Sequence, residues 1–265
     1  MVWINGEQQD RLAVNDRAVQ FGDGCFTTAR VRHGQIDWLA EHLQRLQLGS
    51  RRLLIDGVDW LALETEMKLA ARQQGDGVLK AIISRGSGGR GYSAAGCQTP
   101  TRIVSLAPYP AHYHHLRHSG ARLALSPIAL AQNPLLAGIK HLNRLEQVLI
   151  RTQLEQTGAD EALVLDTAGK LVECCAANLF WRTAEQVFTP QLTQCGVAGV
   201  MRQHIISLLE QQGYHCQEVS VEMSALSRAD EVLICNALMP VLPVYQIEGW
   251  RYSSRQLCDL ISPYC

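Results

Sequence analysis

Short β-rich runs and amphipathic helical runs follow one another along this 265-residue chain without strict alternation, and that order limits the fold most. "MVWING" predicts a strand turned by Asn5-Gly6 into a second, a hairpin signature. "CFTTARVRHGQIDWL" reads as β-structure turning at His33-Gly34. Apolar spacing in "AEHLQRLQLGSRRLLI" and "WLALETEMKLAARQQG" predicts two helices, the second closed by Gly75. "GVLKAIISRG" and "TRIVSLAPY" are strands on either side of a glycine loop. The stretch "PYPAHYHHLRHSG", residues 108–120, has no apolar period and reads as a linker.

Beyond it come strand "ARLALSPI" and a loop, "NPLLAGIKHLN", that enters a helix. Leu145, Val148, Leu149 and Leu154 mark the expected buried side of that helix. "EALVLD", "KLVECCAANLFWR", "EQVFTP" and "EVLICNALMPVLPVYQI" read as strands, and "GVAGVMRQHIISLLEQQG" as a loop opening a helix. Strands outnumber what an alternating βαβ chain would hold, so the expectation is α+β in two domains. Their boundaries are 1–107 for a smaller N-terminal domain, 108–120 for the linker and 121–265 for a larger C-terminal domain.

Composition removes several classes of function. Net charge is -1, so no global field draws the chain to nucleic acid or an anionic membrane. No apolar run is long enough to cross a bilayer, and "MVWINGEQQD" lacks the pattern of a signal peptide. The nine cysteines are odd in number and show neither a CxxC pair nor zinc spacing. A reduced, cytoplasmic protein without a bound metal is expected.

Four lysines stand against twenty arginines, and one of them, Lys140, lies among Leu135, Leu136, Ile139 and Leu142. A lysine approached by apolar groups loses its proton more readily, and can then attack a carbonyl cofactor or act as a base. The alternative is an ordinary solvated side chain. Lys68 in a helix, Lys170 in a polar turn and Lys80 within a strand look blander. Glu173 interrupts the otherwise apolar and small-residue run "KLVECCAANLFW". It either points outward by strand alternation or is a buried carboxylate that needs a cationic partner, such as a protonated pyridine nitrogen.

"RGSGGRGY" is neither a Walker nor a Rossmann motif, and Arg85, Arg90 and Tyr92 could cap a site for carboxylates. Arg45 lies four residues after Glu41, as in an intrahelical ion pair, but would equally suit a phosphate. "GVAGVMRQ" sets small residues at a helix N-terminus, which favours an anion.

"DRAVQFGDGCFTTARV", "EHLQRL", "ISRGSGGRGYS", "AGIKHLNRLEQVLIR", "DEALVLD", "ECCAANLFW", "GVMRQ" and "ICNALMPV" together span nearly the whole chain. They resemble the branched-chain/D-amino-acid aminotransferase-like family of pyridoxal 5'-phosphate (PLP) enzymes, fold type IV. The resemblance implies a two-domain α+β architecture with the cofactor in the interdomain cleft, a homodimer and a small-molecule substrate. It implies that Lys140 bonds the cofactor and that Glu173 pairs with the pyridine nitrogen. Arg45 would hold the phosphate with the backbone N–H groups of Val200 and Met201, and Asn236-Ala237 would complete the phosphate cup. Arg90 and Tyr92 fall where relatives contact substrate carboxylates. Where the D-amino-acid branch has an active-site tyrosine, this chain has Phe26. "GIKHLNRLEQ" and "RGSGGRGY" point to the branch that cleaves a carbon–oxygen bond as a lyase. A D-amino-acid or branched-chain aminotransferase on the same fold is the alternative, and a cofactor-free binding module is the rival from another class.

Overall fold

The structure is a computed structural model that describes residues 1–265. The chain divides into two compact units, one of residues 1–110 with 139–143, the other of residues 111–138 with 144–265.

The first unit is built on a six-stranded sheet. In chain order its strands are β1 (Val2–Ile4), β2 (Glu7–Gln8), β3 (Gly24–Arg32), β4 (Gln35–Ile36), β5 (Gly77–Ser84) and β6 (Thr101–Ala107). They lie in the order β2-β1-β6-β5-β3-β4. Asn5 and Gly6 take positive φ at the first turn, His33 and Gly34 at the second, as their hairpins require. The helices are α1 (Arg17–Phe21), α2 (Leu39–Arg52) and α3 (Trp60–Gln74), the last closed by Gly75. Side chains alternate across β3. Cys25, Thr27, Ala29 and Val31 are buried, while Phe26, Thr28 and Arg30 occupy the half-buried opposite face. The buried row packs with Leu46 of α2 and with Leu63 and Met67 of α3.

The second unit opens with α4 (His112–Ser119). The segment read from the sequence as a linker is therefore largely helical and packs with the second unit. Within the helix only Tyr113 and Leu116 are apolar, half-buried against the second unit's core, too few to show as an apolar stripe in the sequence. A nine-stranded sheet follows. Its strands are β7 (Ala121–Leu125), β8 (Glu161–Leu165), β9 (Leu171–Cys174), β10 (Asn178–Thr183), β11 (Gln186–Pro190), β12 (Cys216–Val219), β13 (Glu231–Cys235), β14 (Leu242–Ile247) and β15 (Trp250–Arg251). Eight run in the order β12-β11-β10-β13-β14-β7-β8-β9, and β15 pairs with β14. Helices α5 (Leu145–Leu154), α6 (Val200–Gln211) and α7 (Gln256–Ile261) complete the unit. Around the sheet, Leu179, Trp181, Val232, Ile234 and Leu242 share one core.

The sequence run "KLVECCAANLFWR" is two strands, β9 and β10, separated by a turn at 175–177. Helix α5 also departs from its expected orientation. It buries Ile150 and Leu154 but exposes Leu145, Val148 and Leu149. Residues 139–143, Lys140 among them, pack with the first unit although they lie within the sequence of the second.

Candidate active site

Lys140 lies in an extended loop ahead of α5 and is half-buried. Gly138, at φ +80, lets the backbone turn into this loop. Its path is set by backbone pairing to β3. The Phe26 N–H donates to the Lys140 carbonyl at 2.9 Å, and the Leu142 N–H to the Gly24 carbonyl at 2.9 Å. A side chain on Gly24 would overlap the Ile83 carbonyl and Leu142, so only glycine admits this approach. Lys140 Nζ lies 4.7 Å from the centroid of the Phe26 ring. A cation over a ring gains about 0.5–2 kcal/mol, and the ring excludes water from one side of the amine. Of the four apolar neighbours expected around it, Ile139 is buried and Leu136 and Leu142 half-buried, but Leu135 is exposed. Phe26 supplies the apolar contact that Leu135 does not.

Arg45 is half-buried in the same unit, on α2, with its Nε shielded from solvent. Its Nη2 donates to Thr27 Oγ1 and lies 3.4 Å from His42 Nδ1, while Thr27 Oγ1 and His42 Nδ1 are 2.6 Å apart. No carboxylate accompanies the guanidinium, so the intrahelical pair with Glu41 does not form. Arg45 Nε is buried without a hydrogen-bond partner. Burial lowers its pKa to about 10, which leaves it charged at neutral pH. A half-buried cation with a shielded idle donor and no counter-charge is unfavourable until an anion arrives, and a phosphate matches that donor set. Burial also lowers the His42 pKa to about 3, with Arg45 adding to the effect, so His42 is neutral. The Arg45 N–H directed at Nδ1 requires an acceptor there, which puts the imidazole proton on Nε2.

Glu173 belongs to β9, where all four residues are buried, and it is 4% exposed. Of the two readings open to the sequence, the structure thus has the buried one. The Glu173 Oε2 accepts the Val197 N–H at 2.8 Å. Arg144, whose pKa burial lowers, is close enough for Glu173 and Glu146 to oppose that pull. Gly196, at φ +85, leaves no room for a side chain, because a Cβ there would meet Val172 and Leu192.

Helix α6 begins at Val200 with Gly199 as its N-cap and no capping side chain. The N–H groups of Val200 and Met201 have no intrahelical carbonyl to bond, so this end can receive an anion. A side chain on Gly199 would overlap Asn178 Oδ1, and Asn178 Nδ2 in turn donates to the Val197 carbonyl at 2.9 Å. Asn236 spends its side chain on local structure. Its Oδ1 accepts the Leu238 and Met239 N–H groups, and its Nδ2 donates to the Ala176 carbonyl. What it shapes is a turn that presents the backbone of buried Ala237.

The loop with Arg90 and Tyr92 is exposed, Tyr92 at 89%. No hydrogen bond or ion pair of either side chain reaches Lys140; Tyr92 packs on the Phe21 ring, centroids 5.7 Å apart. The base of the loop is firmly held. Arg17 pairs with Asp23 and donates to the carbonyls of Gly91, Tyr92 and Ser93. Arg85 is spent structurally, on Asp23 and the carbonyls of Leu53 and Leu54, and is not free for a ligand. Burial would raise the Asp23 carboxyl, but hydrogen bonds from Arg85 and Arg17 outweigh it and hold its pKa below the usual value.

Sequence reasoning passed over Thr27, His42 and Asn178, and set Lys80 aside as a bland strand lysine. Only His42 had a legible signal, since it precedes Arg45 by three residues and so shares its helix face.

A half-buried lysine beside an aromatic ring, a half-buried arginine lacking a counter-charge and an uncapped helix start agree with membership in a known family. The chain matches amino-transferase class IV over residues 24–247 and belongs to that family. The aminodeoxychorismate lyase of Vibrio harveyi is 39% identical over 250 residues, 94% of this chain and 92% of that one. The crystal structure of 4-amino-4-deoxychorismate lyase from Pseudomonas aeruginosa has a TM-score of 0.94 at 39% identity, covering 99% of this chain and 98% of that one. The PLP-bound form of a hypothetical aminotransferase from Mycobacterium tuberculosis has a TM-score of 0.87 over 99% and 96% of the two chains. At 21% identity that likeness concerns the fold alone.

Proposed function

We propose that this protein is a PLP-dependent lyase that converts 4-amino-4-deoxychorismate into 4-aminobenzoate and pyruvate, a step toward folate. The reading is carried by Lys140, held against Phe26 in the same unit as a half-buried Arg45 that lacks a counter-ion. Likeness to lyases at 39% identity supports the choice of substrate.

Arg45 holds the cofactor phosphate, aided by the Val200 and Met201 N–H groups and by the backbone at Asn236-Ala237. Glu173 would pair with the pyridine nitrogen of the cofactor while accepting the Val197 N–H. Bound PLP supplies a carbonyl that condenses with amines and a ring that accepts electron density. Lys140, once neutral, removes the proton at C4 of the substrate. The resulting ammonium stands ready to protonate the enolpyruvyl methylene as that group departs from C3. Proton loss and proton return balance on one nitrogen, so neither water nor an amino acceptor is consumed. Arg90 and Tyr92 are proposed to meet substrate carboxylates when the exposed loop closes on them.

A homodimer is the proposed assembly, and the exposed row Leu145, Val148 and Leu149 on α5 is an apolar surface suited to a second copy. No helix is long and apolar enough to cross a membrane. All nine cysteines are free, which supports a cytoplasmic setting.

The test is incubation with 4-amino-4-deoxychorismate in the absence of any keto acid. Equal yields of pyruvate and 4-aminobenzoate are expected. No pyruvate, together with amino transfer when a keto acid is added, would instead make the protein an aminotransferase.

A further inference from the structure

Lys80 occupies the same sheet face as Phe26. It lies on β5, opposite Thr28 of β3 on one side and Ser105 of β6 on the other. Its Nζ is 4.7 Å from the centroid of the Phe26 ring, the separation also found for Lys140 Nζ. The two amine nitrogens are therefore at most about twice that distance apart. Lys80 is half-buried and forms neither an ion pair nor a hydrogen bond. Its cross-strand neighbours are uncharged, and the Phe26 ring lies against its ammonium. A cation partly withdrawn from water, sharing the Phe26 ring with the reacting amine and without an anion of its own, is suited to receive one from the substrate.

On the lyase reading just given, we propose that Lys80 binds the enolpyruvyl carboxylate of the substrate and sets specificity for it. Lys140 works at C4, and the enolpyruvyl ether is attached to the adjacent carbon, C3. The other carboxylate is on C1, across the ring from C4. A cation close to Lys140 thus matches the nearer carboxylate, and the farther one is left to the loop of Arg90. The enolpyruvyl carboxylate keeps its charge as the C3–O bond breaks. Lys80 therefore orients that bond and holds the departing group until pyruvate leaves.

The holoenzyme variants Lys80→Met, Lys80→Gln and Lys80→Arg test this. Chorismate, which carries both carboxylates but a hydroxyl at C4, and 4-aminobenzoate, which carries only the ring carboxylate, serve as inhibitors. In Lys80→Met and Lys80→Gln, KM and the chorismate Ki should rise about tenfold or more, as expected for loss of a charge-assisted contact. The 4-aminobenzoate Ki should change less than about twofold, the visible cofactor band should be unaltered, and Lys80→Arg should recover most of the loss. An unchanged chorismate Ki, or equal weakening of both inhibitors, would overturn the assignment. So would a loss confined to kcat with a shifted pH titration of the cofactor band, which would place the effect of Lys80 on Lys140. Failure of the lyase reading is separately visible, because the unaltered protein would then release no pyruvate.

Discussion

Lys140 and Phe26 are joined twice, by the Phe26 N–H donating to the Lys140 carbonyl at 2.9 Å and by Lys140 Nζ 4.7 Å from the ring centroid. Backbone pairing fixes where the lysine starts, and the ring fixes one side of where its amine ends. Only the second contact depends on the lysine side chain. Lys140→Ala should therefore abolish pyruvate release while changing unfolding free energy by no more than about 0.5–1 kcal/mol. Steady-state assay and urea titration on one preparation check both halves, and residual turnover near that of the unaltered protein would remove Lys140 from the chemistry.

Arg45 should separate cofactor affinity from stability. Arg45→Met removes a half-buried charge that has no carboxylate partner, so apo-protein stability should hold or rise. PLP affinity should fall about 10- to 100-fold through loss of charge-assisted hydrogen bonds. Equilibrium titration of apo-protein with PLP measures this, and an unchanged Kd would mean that the phosphate is held elsewhere.

Glu173→Gln retains an oxygen to accept the Val197 N–H but carries no charge. The fold should persist while kcat falls about 100-fold or more, the scale for losing one preorganised electrostatic group. A variant with near-normal kcat would show that the buried carboxylate serves structure alone.

His42 should give stability a pH dependence. Its pKa is about 3 in the folded protein because of burial and then Arg45, against an unfolded value near ~6.5. Between those limits the unfolded chain takes up a proton that the folded one refuses, so this contribution is complete above the unfolded value and is lost as pH falls toward 3. At pH 4.5 the loss is about 2–3 kcal/mol. His42→Asn, which cannot titrate, should lose less stability than the unaltered protein between pH 7 and pH 4.5. Equal losses in urea titrations at the two pH values would contradict it.

Legibility in the sequence followed how local each determinant is. The turns at Asn5-Gly6 and His33-Gly34, helices α2 and α3 and the start of α6 were readable, because turn residues and apolar period act over a few positions. Helix α4 was not, since its histidines and arginine form no apolar stripe. On α5 the apolar residues fall on more than one face, and periodicity could not choose between Leu145, Val148 and Leu149 outside and Ile150 inside. Lys140 and Glu173 were visible as exceptions to their surroundings. Lys80 was set aside as a bland strand lysine, because its place against the Phe26 ring comes from strand pairing across the sheet rather than from neighbouring residues.

Borohydride reduction of the PLP-loaded protein, followed by peptide mapping, tests most directly whether Lys140 is the reacting amine. The predicted result is a bleached yellow solution with the reduced cofactor on one peptide, the one containing Lys140. Label on Lys68, Lys80 or Lys170 instead, or a colourless protein that takes up no PLP, would contradict it.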